Sequence, residues 1–87
     1  MKVTVCDNDE HDLALLVELL AKYSSMHPEY SIETSAFTSP FEMLCEAESH
    51  GGSDLLILDI YMDGISGASA ARELRASGSD AEIIFVT

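Results

Sequence analysis

A chain of 87 residues forms one small domain at most, and with 47% apolar and 23% charged residues it should fold around a core rather than stay disordered. Sixteen acidic against four basic residues give a net charge of −12, a field that repels phosphate backbones and anionic membranes, so this segment does not contact nucleic acid directly. No apolar run approaches the roughly 20 residues of a membrane span and the start lacks the features of a signal peptide, so a cytoplasmic protein is expected.

Strand and helix patterns alternate from end to end. Lys2 to Cys6 is a β-branched run predicting a first strand. From Asp9 onward, Leu13, Leu16, Val17 and Leu20 follow the spacing of an amphipathic helix, with Asn8 or Asp9 as its cap and Asp9, Glu10 and Asp12 in the first turn, where the dipole favours negative charge. Ser24 to Pro28 should end it. Tyr30 to Phe37 alternates as a second strand, polar enough for a sheet edge. Ser39, Pro40 and Glu42 form a capping box opening a helix from Pro40 to about Glu48, with Phe41, Leu44 and Cys45 as its apolar side and His50 to Ser53 as its stop.

Leu55 to Leu58 is continuously apolar, as in a central parallel strand, and ends in Asp59. A loop with Gly64 and Gly67 leads to a third helix, Ala68 to Ala76, closed by Ser77-Gly78-Ser79, and Glu82 to Val86 predicts a fourth strand ending at Thr87. The alternation argues for a parallel α/β sheet with right-handed crossovers, doubly wound but incomplete. An outer strand of Ile83, Ile84, Phe85 and Val86 exposes an apolar edge, so a longer domain or association into a homo-oligomer is expected to cover it. Cys6 and Cys45 have no zinc-ligand spacing and read as reduced, packed thiols. His11, His27 and His50 are scattered and read as surface residues.

In open parallel sheets the functional crevice lies beyond the carboxyl ends of the strands, where strand order reverses. Asp7, Asn8 and Asp9 follow the first strand, Asp59 the third and Thr87 the fourth. Carboxylates and amide oxygens gathered there suit a hard cation such as Mg2+, and a carboxylate beside that ion can attack phosphorus. The Asp7-Asn8-Asp9 run is not a calcium loop, because Asp12 stands where the sharp turn needs glycine.

The stretches VTVCDND, DLLILDIYMDGISG and IIFVT resemble the first, third and fourth strands, with their following loops, of the receiver domain of bacterial two-component response regulators. The resemblance runs over residues 1–87, as the N-terminal part of a flavodoxin-like (CheY-like) domain. The KVTVCDND start and IIFVT end look most like regulators carrying a LytTR-type DNA-binding domain. The resemblance implies that Asp59, followed by Met62 and Gly67, is the phosphoacceptor. It makes Asp7 the first acidic metal position, Tyr61 the donor of a main-chain carbonyl to the metal, and Thr87 the switch hydroxyl. Asn8 falls where the family has a second acidic residue, a direct ligand, and Asp9 is a further candidate ligand. The family's lysine lies at the end of a fifth strand that this sequence does not contain.

The function so implied is a signalling switch rather than an enzyme: Asp59 takes a phosphoryl group from a sensor histidine kinase with Mg2+ and biases an attached output domain, DNA-binding and transcriptional. Two other readings stand beside it. Asn8 and the missing lysine fit a pseudo-receiver, a phosphorylation-independent interaction module. A small metal-dependent phosphatase would use Asp59 as nucleophile and Asp63 as acid, but the chain offers no evident base or closed pocket for it. Taken without the resemblance, Asp59 could cap a turn, Asp7 to Asp9 could cap a helix, and Thr87 could be an ordinary strand residue.

Overall fold

The computed structural model describes residues 1–50, 52–61 and 65–86, apart from the side chains of residues 48–50. The order is β1 (Lys2–Cys6), α1 (Glu10–Met26), β2 (Glu33–Phe37), α2 (Pro40–His50), β3 (Leu55–Asp59), α3 (Gly67–Ala76) and β4 (Glu82–Val86), with a 3-10 turn at Pro28–Tyr30. All strands are parallel and lie in the order β2-β1-β3-β4. From β1 the chain first moves outward to β2, then returns to the other side of β1 for β3. The order therefore reverses between β1 and β3, the position at which doubly wound sheets open a crevice.

Strand residues alternate between the two faces. Cys6, Leu56 and Leu58 point to the face covered by α2 and α3, where they form a closed core with Met43, Ala70, Ala71, Leu74 and Ala81. Val3 and Val5, also buried, point to the opposite face, where α1 packs against β1 and β2. Helices thus lie on both faces of the sheet, but on the second face α1 packs over β1 and β2 rather than over the apolar β3. Asp54 ties the lower end of the sheet: its carboxylate accepts from Lys2 N at 2.8 Å, its own N–H donates to Lys2 O at 2.9 Å, and its carbonyl accepts from Glu82 N at 3.0 Å.

The second strand starts later than its alternation predicts. Pro28 turns the chain into a 3-10 turn that ends on Ser31 in the left-handed region, φ 49°. The amino-terminal ammonium group donates to the carbonyls of Tyr30 and Ser31, each at 3.0 Å, so Tyr30 lies in that turn and pairing begins only at Glu33, opposite Lys2. The first helix ends within Ser24 to Pro28 as expected: it runs to Met26 and is capped by His27, whose N–H donates to Tyr23 O.

The apolar side assigned to α2 also needs correcting. Met43 is buried, while Phe41 and Cys45 are exposed. The second helix lies beside the edge strand β2, so the row carrying Phe41 and Cys45 projects past the sheet and the row carrying Met43 and Ala47 faces the core. Of the two thiols expected to be packed, only Cys6 is. The third helix begins at Gly67, one residue before Ala68, because Ser66 caps it by accepting from Ser69 N at 3.1 Å. Gly78, at φ +99°, provides the left-handed turn that ends it. Of the predicted capping box the Ser39 half is present, with Ser39 Oγ accepting from Glu42 N at 3.4 Å. The bounds of β1 and β4 match expectation, and the edge position of β2 is as its polarity implies.

Candidate functional site

The reversal between β1 and β3 puts Asp7 and Asp59 side by side. Cys6 pairs with Leu58 in the ladder, so the next residue of each strand emerges at the same end of the sheet. Asp7 N donates to Phe37 O at 3.1 Å, continuing the ladder one step and fixing the aspartate over the strand ends. Asp7 is almost wholly buried, at 4% exposure. Its Oδ1 accepts from Asp9 N at 2.9 Å.

The Asp7 carboxyl is pushed above its ordinary value, first by burial and then by the charge of Asp59 and a hydrogen bond between the two side chains, against the lowering effect of the Asp9 N–H. Two carboxylates in contact repel, and the cost falls when positive charge lies between them. The arrangement is one that a cation could stabilise. Cys6 lies beneath the pair, and burial followed by the charges of Asp7 and Asp59 raises its thiol to about 11. It is an inert floor rather than a nucleophile.

The other expected site residues divide by role. Asn8 is exposed at the tip between Asp7 and Asp9. Asp9 is the helix cap, its Oδ1 accepting from His11 N at 2.9 Å and Asp12 N at 3.1 Å. Asp59 is half-buried and its Oδ1 accepts from Tyr61 N at 3.1 Å, so it does shape the turn after β3 while also facing Asp7. Tyr61 is 76% exposed. Met62, Asp63, Gly64 and Thr87 lie outside the described residues. Among the described residues no three His, Cys, Asp or Glu side chains converge as a metal group.

One contribution escapes the side-chain pattern. Gly67 N donates to Ile60 O at 2.9 Å, and a Cβ there would lie 3.1 Å from both the Asp59 carbonyl carbon and Ile60 Cα, and closer still to the Asp59 oxygen. The start of α3 is thereby pressed against the backbone of Asp59. The sequence marks this glycine only as a loop residue.

A sequence model described as the response regulator receiver domain matches residues 3–87. The chain belongs to the response regulator receiver domain family. Solved receivers share its fold. TrrA, a response regulator from Thermotoga maritima in complex with Mg2+ and BeF, is 33% identical, with a TM-score of 0.72 over 97% of this chain and 66% of its own. A receiver domain protein from Clostridium thermocellum is 22% identical, with a TM-score of 0.79 over 97% and 62%. The Francisella response regulator 1452 receiver domain is 21% identical, with a TM-score of 0.73 over 97% and 63%. This receiver chain therefore spans under two thirds of the length of each of the three. No curated protein matches it by sequence. Among the described residues no helix is long and apolar enough to cross a membrane.

Proposed function

We propose that this receiver accepts a phosphoryl group on Asp59 from the phosphohistidine of a sensor histidine kinase. The observation that carries the reading is the pairing of Asp59 with a buried Asp7, whose carboxyl is pushed upward, at the strand-order reversal. One carboxylate oxygen of Asp59 bonds to phosphorus as the phosphorus–nitrogen bond breaks, and the electron pair leaves with the imidazole nitrogen. The turn bond from Tyr61 N holds the other functional element of the transfer, the Asp59 carboxylate, in a fixed orientation. Gly67 backs its main chain.

The donor set fits a hard divalent ion, because burial and mutual repulsion of Asp7 and Asp59 are relieved by positive charge. Asp7, Asn8, Asp59 and the Tyr61 carbonyl would hold Mg2+, and Asp9 stays committed in part to its helix cap. When bound, Mg2+ supplies neutralisation of charge on the phosphoryl oxygens. Support comes also from the Thermotoga relative, which is in complex with Mg2+ and BeF. Thr87 takes the hydroxyl role that reads out the acyl phosphate, and the output is an attached transcriptional domain in a cytoplasmic pathway.

A specific observation favours a second reading. Asn8 replaces a ligand carboxylate, leaving two acidic side chains rather than three over the crevice, as a phosphorylation-independent pseudo-receiver would have. Intact mass after incubation with a small phosphodonor and Mg2+ separates the two. The mass gain of one phosphoryl group, lost in Asp59→Asn, supports phosphotransfer. Label that persists in the variant defeats the assignment, and an unlabelled wild-type chain favours the pseudo-receiver.

A further inference from the structure

The outer side of α2 carries a feature that phosphotransfer does not use. Phe41, in the first turn, is 56% exposed, and Cys45, one turn later, is also exposed. Together with Phe37 at the end of β2 they form a shallow groove of about 450 Å3, with Glu42 and Glu46 along its rim. The inner row of α2, through Met43 and Ala47, already satisfies the core. The outer apolar row therefore lies outside the buried core.

We propose that this groove docks a basic amphipathic helix of a partner protein. Phe41 and Cys45 are four residues apart, and Glu42 and Glu46 repeat the same spacing beside them, so an apolar row and an acidic row run parallel along one face of α2. The complement is a helix with apolar side chains one turn apart, flanked by lysine or arginine at the same interval. Charge selects among occupants. Glu42 and Glu46 disfavour the same face of a second copy and any acidic segment, and the net charge of −12 steers a basic one toward the groove. The groove also adjoins the acidic crevice, since Phe37, which lines it, accepts the Asp7 N–H on its carbonyl oxygen.

Cys45 reports occupancy directly, because the only other thiol, Cys6, is buried and raised to about 11. The reaction rate of Cys45 with a disulfide reagent is measured on the full chain with a synthetic helical peptide carrying leucines at one-turn spacing flanked by lysines. Controls are a scrambled peptide of the same composition and an analogue with glutamate for lysine. Docking predicts about tenfold slower reaction at saturation with the first peptide alone, and about tenfold weaker affinity in Phe41→Ala, as for an aromatic anchor at an interface. Glu42→Gln should weaken binding several-fold while Glu73→Gln, on the exposed side of α3, leaves it unchanged. Circular dichroism on each variant keeps loss of binding distinct from loss of fold. Equal protection by the scrambled peptide, equal effects of Glu42→Gln and Glu73→Gln, or no protection would overturn the proposal. So would thiol protection that grows with protein concentration without peptide, which would assign the groove to a second copy.

Discussion

The two faces of the sheet are built to different standards. On the α2 and α3 side, Met43, Leu56, Leu58 and Leu74 are at most 3% exposed. On the α1 side, β1 contributes the buried Val3 and Val5, but α1 itself has no buried residue, and Leu15, Leu19 and Ile84 are 47%, 62% and 49% exposed. The difference follows from position as much as from composition, because β3 and β4 are apolar on both faces while α1 sits over β1 and β2. The acidic pair stands at the seam, with its floor, Cys6, belonging to the dense side. The chemistry is thus anchored to the more closely packed face, although Phe85, which pairs with Leu58 on that face, is 43% exposed.

The largest expected effect tests that asymmetry. Leu58→Ala should cost about 2–5 kcal/mol, the range for a fully buried leucine in a packed core, whereas the exposed Ile84→Ala should cost less than about 1 kcal/mol. Urea denaturation measures both. Comparable losses would mean that the α1 face is covered in solution. Sedimentation over a range of concentrations then distinguishes self-association, which the exposed Ile84 and Phe85 of the β4 edge favour, from cover within one chain.

Gly67→Ala probes the seam itself. The added methyl group would meet the backbone of Asp59 and Ile60, which cannot swing aside as a side chain can. A loss of about 1–3 kcal/mol is expected, in the range of overpacking, together with shifted backbone amide resonances at Asp59 and Ile60. A variant as stable as the parent, with unmoved resonances, would show that α3 can back away from the strand end at no cost.

How far the sequence could be read depended on which side of the molecule a residue serves. Capping chemistry is local, so Ser39, Gly78 and Asp9 were legible, as were the strand-end positions of Asp7 and Asp59. The inner face of α2 was not, because periodicity ranks Phe41 above Met43 by size and cannot show that Phe41 overhangs an edge strand. The start of β2 escaped for a similar reason: Tyr30 fits an alternating pattern, yet the ammonium group of Met1, 29 residues away, occupies its carbonyl. Asp7 and Asp59 could be placed at one end of the sheet from sequence. The upward shift of Asp7 depends on burial and contact, which no linear pattern contains.

That shift gives a pH dependence with a defined sign. Asp7 binds its proton more tightly folded than unfolded, so its contribution to stability is fully present at low pH and is lost as pH rises through its raised folded value. In metal-free buffer, acidifying from neutrality into that window should stabilise the domain before other carboxylates titrate. Asp7→Asn should remove this component of the slope of urea midpoint against pH. Asp59→Asn should leave part of it, because burial, the first cause of the shift, remains. An Asp59→Asn profile as flat as that of Asp7→Asn would make repulsion, not burial, the dominant cause.

The smallest effect concerns Asn8, an exposed residue beside the buried pair. A neutral amide oxygen offers a divalent ion less than a carboxylate does, so Asn8→Asp should tighten Mg2+ binding several-fold in a calorimetric titration. The same change adds a negative charge next to Asp7, whose carboxyl is already pushed upward in part by Asp59. Without metal the variant should therefore be slightly less stable than the parent, with the order reversed at saturating Mg2+. The exposed position keeps both effects small, since solvent screens the new charge. A gain in metal affinity with the reversal would tie position 8 to the crevice, and unchanged affinity would mean that its side chain points away from the Asp7–Asp59 pair.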